Sequence, residues 1–245
     1  MKEQYIVGRN PVLEVLKSGK DIDKIYMLKG EHEGSIRKII GMAKDRGIVV
    51  SQVDDKKLSD MANTKNHQGV VALITGYEYK TLDDILALAE SKNEDPFIVI
   101  LDSVEDTHNL GAIIRTAEVA GVHGVVIPKR RSAIVNQTVY KTSAGAVEHM
   151  MVAQVTNIAN TIEELKEKGL WIYGADMNGE SDYFKTDMKG KIALVIGGED
   201  KGITPLIAKK CDVLVKIPMV GIVSSLNASA SAAIMIYEVI RQRNQ

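Results

Sequence analysis

Three stretches of this chain bring glycine together with polar side chains able to handle an anion or a hydroxyl-rich ligand. The first is Asn109-Leu110-Gly111, with Arg115 close behind it. An arginine near a helix N-terminus opposes the helix dipole, and it makes sense when an anion lies between them. Phosphate is such an anion, and guanidinium grips it bidentately. An asparagine cap followed by a surface arginine is the plainer alternative. The second stretch is Gly197-Gly198-Glu199-Asp200-Lys201-Gly202. It fails the dinucleotide fingerprint, because Glu199 stands where a glycine is needed, and it lacks the Lys-Ser/Thr end of a P-loop. Its two carboxylates repel pyrophosphate but tolerate a cation or a hydroxyl-rich ligand. The third is Ser224-Ser225-Leu226-Asn227, which leads into the Ala/Ser run 228–233. Capping needs one such side chain, and three are more than it requires.

The elements that must carry these residues alternate between strand and helix. From Pro96 onward the pattern predicts a strand FIVILD, a helix Leu110–Ala120 and a strand GVVIP. An irregular helical stretch 137–143, a strand 151–155, a helix 158–168 and strands WIYGADM and IALVIGG follow. A short helix 205–210, a strand VLVKIP and the terminal helix complete the series. Continuous apolar strands between helices argue an α/β fold with a mainly parallel sheet covered on both faces. In such sheets ligands sit outside the carboxyl ends of the strands, where all three stretches fall. Residues 1–76 read as a separate small α/β unit. It starts with a helix capped by Asn10, with Pro11 at its first position and Gly19 at its end. Residues 77–95 are acidic and read as a linker with a helical portion, Thr81 to Ser91.

With 245 residues the chain has room for two domains, and no apolar run approaches a membrane span. The N-terminus lacks a signal-peptide pattern and the single cysteine, Cys211, cannot form an internal disulfide, so a cytoplasmic location is expected. The five histidines, His32, His67, His108, His123 and His149, show no metal-ligand spacing, and no zinc site is expected. The net charge of −1 decides nothing about nucleic acid, although residues 1–76 carry a mild basic excess. Pro128 to Ser132, PKRRS, is a basic turn beside the first two stretches, able to hold a polynucleotide backbone.

The three stretches, in this order, resemble the signature motifs of the SpoU/TrmH family of RNA ribose 2′-O-methyltransferases, within the SPOUT superfamily. They match as NLGAIIRTAEVAGV, LVIGGEDKGI and IPMVGIVSSLNASASAA. IVGRNPVLEVLKSG and NHQGVVAL resemble the small RNA-binding domain of the same subgroup, which is L30e-like. The resemblance implies a SPOUT methyltransferase domain over 96–245 with a C-terminal trefoil knot, although chain threading is rare in general. It places Asn109, Arg115, Glu199, Ser225 and Asn227 at the reaction. Gly197, Gly198, Ile217, Met219 and Leu226 fall at the cofactor, S-adenosyl-L-methionine, which main-chain groups hold. It implies a homodimer with sites at the subunit interface, RNA as partner and a guanosine of 23S rRNA as substrate, with tRNA as the alternative. Two departures stand out: Thr107 follows Asp106 where the family often has proline, and Asp200 follows Glu199 where many members have glycine. A non-catalytic RNA-binding or ribosome-assembly protein is the reading from another class, and the intact polar set disfavours it. A dinucleotide oxidoreductase is disfavoured by the failed fingerprint.

Overall fold

A computed structural model describes residues 4–17, 22–30, 34–74, 77–199, 202–222 and 225–245. Gly19 lies outside them. The chain forms two compact units, Met1–Tyr77 and Glu78–Gln245.

The first unit runs β1 (Gln4–Val7), α1 (Arg9–Lys17), β2 (Lys24–Leu28), α2 (Ser35–Asp45), β3 (Val49–Val53), α3 (Asp55–Ala62) and β4 (Val70–Ile74). Its sheet has the order β1-β4-β2-β3, with β2 and β3 parallel and β4 antiparallel to both neighbours. Val12 and Leu16 of α1 meet Ile36 and Ile39 of α2 over Ile25, Met27 and Val70. Two expectations change here. β1 precedes the first helix; its four residues are too few for alternation to announce a strand. Asn10 lies inside α1 and does not cap it, because the distant Gln68 Oε1 accepts from Arg9 N at 3.0 Å and satisfies that end.

The second unit runs α4 (Leu82–Ser91), β5 (Phe97–Asp102), α5 (Thr107–Val119), β6 (Gly124–Pro128), α6 (Gln137–Thr142), β7 (Val152–Val155) and α7 (Ile158–Glu167). It continues with β8 (Trp171–Ala175), β9 (Ser181–Asp182), β10 (Ile192–Gly197), α8 (Pro205–Ala208), β11 (Val213–Lys216) and α9 (Ala228–Arg243). The seven strands lie in the order β7-β6-β5-β10-β8-β11-β9, and every pairing is parallel. The mainly parallel sheet expected from the apolar runs is therefore present. β5 is buried at all its positions, as a strand covered on both faces must be. The chain winds outward from β5 to β7, then returns to place β8 beyond β10. That reversal opens a crevice at the carboxyl ends of β5, β10 and β8.

Of the stretch 77–95, expected as a linker, residues 78–95 belong to this second unit. Thr81 and Asp84 form a capping box at the start of α4. Leu82 and Ile85 are then buried against Ile98, Ile100 and Val126. Helix α5 starts one turn earlier than the predicted Leu110, because Asp106 is the cap: its Oδ1 accepts from His108 N at 2.8 Å. The far end of α9 is pinned by Gln242, which accepts from Met188 N at 2.8 Å and donates to the Thr186 carbonyl at 2.9 Å. This fixes the helix whose other end faces the crevice.

His123 ties β5 to the residues after α4. Phe97 N donates to its Nδ1 at 3.0 Å, so the ring proton sits on Nε2 and is donated to Glu94 Oε2 at 3.0 Å. Burial pulls its pKa below the ordinary 6.5, against the opposing pull of Glu94. The unfolded chain therefore binds the extra proton first, and stability falls as pH drops below 6.5. Urea melts between about pH 8 and pH 5 are expected to show this loss, and His123→Gln is expected to show a shallower one.

Candidate active site

Three loops at the carboxyl ends of β8, β10 and β11 enclose a cavity of about 300 Å³. Gly197, Gly198, Ile217, Met219 and Leu226, the five residues expected at a cofactor, all line it. Glu199 and Ser225 line it as well. The main-chain N–H groups of Ile217, Met219 and Leu226 make no hydrogen bond among the described residues. They are free donors in a chamber otherwise walled by Ile196, Val215 and Ala228. The carboxyl end of β8 adds Ala175, Asp176, Met177 and Asn178, which the motif reading missed. Gly179 lets this turn hug β11, since a Cβ there would lie 2.6 Å from the Val215 carbonyl carbon.

Asparagines brace the cavity. Asn227 caps α9, its Oδ1 accepting from Ser229 N at 2.9 Å, Ser229 Oγ at 2.6 Å and Ala230 N at 3.3 Å. With Oδ1 held there, Nδ2 must point away, and it donates to Asn109 Oδ1 at 3.0 Å. That bond in turn aims Asn109 Nδ2 at Glu199 Oε1, to which it donates. Three of the expected catalytic residues thus form one directed chain ending on a carboxylate. Asn109 is free for this because Asp106 does the capping. The choice between cap and functional group at Asn227 dissolves, since its two amide atoms do one task each.

The glycine turn after β10 is held just as closely. Gly198 N donates to the Asp102 carbonyl at 2.9 Å, and Thr204 N donates to Asp102 Oδ2 at 2.7 Å. A Cβ on Gly197 would lie 2.0 Å from the Gly202 carbonyl carbon, and one on Gly198 would lie 2.2 Å from the Ser103 carbonyl oxygen. Neither site can hold a side chain without moving backbone. Beyond the turn lies a second cavity of about 270 Å³, bordered by Ser103, Glu105, Arg131 and Thr204. Gly198, Glu199 and Gly202 line both cavities.

Arg115 is not brought into this group within one chain. It is exposed on α5, lines neither cavity and makes no hydrogen bond or ion pair among the described residues. Arg131 of the basic turn lines the second cavity. His108 is exposed. Asp200, Lys201, Ser224 and His32 lie outside the described residues. No group of three or more His, Cys, Asp or Glu among the described residues could hold a metal ion, and no described helix is long and apolar enough to cross a membrane. Burial pushes the Cys211 thiol up to about 12. Its thiolate is scarce at neutral pH, so Cys211 is expected to resist iodoacetamide in the folded protein and react once urea unfolds it; mass spectrometry of the alkylated chain checks this.

Residues 96–237 match the model of the SpoU rRNA Methylase family. Residues 5–80 match a family described as RNA 2′-O ribose methyltransferase substrate binding. The chain is 49% identical to YacO of Bacillus subtilis, named for the TrmH family of tRNA/rRNA methyltransferases, over 99% of this chain and 97% of that protein. Among solved structures it is similar to the SpoU methyltransferase AviRb of Streptomyces viridochromogenes in complex with AdoMet. That likeness has a TM-score of 0.62 and 26% identity, over 99% of this chain and 91% of that one. An AdoMet-bound rRNA methyltransferase of Sinorhizobium meliloti superposes with a TM-score of 0.59 and 25% identity, over 98% of this chain and 87% of that one.

Proposed function

Because the chain belongs to the SpoU rRNA methylase family, an S-adenosylmethionine-dependent family of RNA methyltransferases, we propose that it methylates a ribose 2′-hydroxyl of RNA, at a guanosine of 23S rRNA. One observation carries this reading: Glu199, fixed by the asparagine chain, borders two cavities at once. Such an arrangement suits a donor in one chamber and an acceptor in the other, meeting at a carboxylate.

The residues of the first cavity fit S-adenosylmethionine. The free N–H groups of Ile217, Met219 and Leu226 can bond the adenine edge, and the apolar walls can sandwich the ring. The carboxylates of Asp176 and Glu199 suit the cofactor's cationic groups. When bound, the cofactor supplies a methyl group already activated on a sulfonium, which the 2′-oxygen takes by in-line displacement. Positioning then supplies much of the acceleration. Gly197 and Gly198 let this turn pack onto the Gly202 and Ser103 backbone, which fixes the wall of the donor chamber. Asn109 and Asn227 hold Glu199, while Ser225, on the cavity wall, faces the ribose.

Arg115 is the remaining part. In the homodimer we propose, Arg115 of the partner subunit reaches the site, which accounts for its isolation within one chain. Guanidinium stays charged in proteins, so its role is to grip the target phosphate and orient the 2′-hydroxyl. A phosphate oxygen or water takes the proton. The trefoil knot of the family, formed by the C-terminal segment, belongs to the same proposal.

The first unit, of L30e-like type, delivers RNA; the substrate-binding family match over residues 5–80 supports this. Deleting residues 1–76 is expected to weaken RNA binding and leave S-adenosylmethionine affinity unchanged. Filter binding of rRNA together with calorimetry checks it, and unchanged RNA affinity would contradict the assignment. The reaction itself is tested by incubating the protein with S-adenosylmethionine and RNA and digesting the product to nucleosides: a 2′-O-methylnucleoside is expected.

A further inference from the structure

The cavity behind Glu199 contains charges that the mechanism above does not use. Glu105 and Arg131 both line it, both are exposed, and neither makes a hydrogen bond or ion pair among the described residues. Opposite charges on one cavity wall that served only to hold the fold would be expected to pair. These two stay apart although their loops are tied together, Ala133 N donating to the Val104 carbonyl at 2.8 Å. Each loop also has a non-glycine residue in the left-handed region, Ser103 at φ 64° and Arg131 at φ 54°. Such backbone costs energy and persists where neighbours impose it, often at ligand clamps.

We infer that this second cavity seats the nucleobase of the acceptor and reads guanine, with Glu105 on its donor edge and Arg131 on its acceptor edge. The inference rests on the 2′-O-methylation reading. A ribose placed at Glu199 has the cofactor cavity on one side, so its base must occupy the other side. The base has to leave its stack to reach there, as bases do in enzymes that act on single nucleotides. A carboxylate can accept two hydrogen bonds, and a guanidinium can donate two. Guanine alone among the four bases matches both. Its N1–H and N2–H lie side by side as donors, and its O6 and N7 lie side by side as acceptors. Adenine and cytosine would each turn a ring-nitrogen lone pair toward the carboxylate. Uracil offers one donor between two carbonyls.

The test uses the full-length protein, S-adenosylmethionine, and RNA with ribosomal particles from cells lacking the gene. Products are digested and identified by mass spectrometry. The wild type is expected to give 2′-O-methylguanosine alone. Glu105→Gln sets an amide donor against guanine's donors, and Arg131→Ala removes the other pair. Each is expected to slow 2′-O-methylguanosine formation about ten- to hundredfold. Arg131→Lys is expected not to restore the rate, because a lysine lacks the planar fork. S-adenosylmethionine affinity, measured by calorimetry, should stay unchanged in all three variants. A different 2′-O-methylnucleoside from the wild type would overturn guanine reading and leave ribose methylation standing. Methylation on a base would sink both. Full rates in Glu105→Gln would overturn its assignment. Rescue by Arg131→Lys would make Arg131 a phosphate contact and overturn its role on the base. A parallel loss of cofactor affinity would move these residues to the donor site and end the proposal.

Discussion

Arg115→Ala is expected to lower methyl transfer on the order of 10³-fold, the scale of losing a transition-state hydrogen-bond donor, and to leave S-adenosylmethionine binding intact. The expectation follows from where Arg115 is and is not. It lines neither cavity, so its loss removes nothing that touches the cofactor. It is also solvent-exposed and has no hydrogen-bond or ion-pair partner among the described residues, so its loss leaves no buried partner there unsatisfied and the fold should hold. Calorimetry with S-adenosylmethionine and a methylation assay on the same preparation separate the two effects. If both fell equally, Arg115 would belong to the cofactor pocket. Mixing Arg115→Ala with Glu199→Ala chains adds a sharper test. Mixed dimers should regain one working site if Arg115 comes from the partner subunit, and stay dead if each chain must supply both residues.

Gly197→Ala is expected to remove both binding and transfer. Its Cβ would lie 2.0 Å from the Gly202 carbonyl carbon and 2.2 Å from Ile203 N, and backbone has no flexible end that can swing aside. Overpacking of this kind costs about 1–3 kcal/mol, occasionally more. Here the strain falls on the turn that carries Glu199 and walls both cavities. Calorimetry is expected to detect no S-adenosylmethionine binding at concentrations that saturate the wild type. A thermal melt on the variant should show that the sheet still folds. Undiminished cofactor binding would mean the turn can relax and that its close packing is not what shapes the site.

Much of this architecture was legible in the residues. Short, β-branched apolar runs such as FIVILD argue strands covered on both faces, and the helices between them argue a parallel sheet. The three polar-glycine stretches announced loops at the carboxyl ends of those strands, and the cavity-lining set came from matching them to a family. What escaped was tertiary. Nothing local shows that Gln68 satisfies Arg9, which makes a cap at Asn10 unnecessary. The acidic character of 77–95 suggested a linker, yet Leu82, Ile85 and Ala89 are enough to bury one face of α4. The β8 end was missed because Asp176-Met177-Asn178-Gly179 reads as an ordinary turn until its approach to β11 is known. The pairing of Asn227 with Asn109 spans most of the second unit, and no spacing rule reaches that far.

We propose that this chain methylates one ribose 2′-hydroxyl in structured RNA. Mapping 2′-O-methylation across rRNA and tRNA, in cells with and without the gene, tests it most directly. Loss of a single 2′-O-methylguanosine in 23S rRNA, restored by the wild-type gene and not by Arg115→Ala, is the predicted result. An unchanged map in both RNA classes would contradict the account.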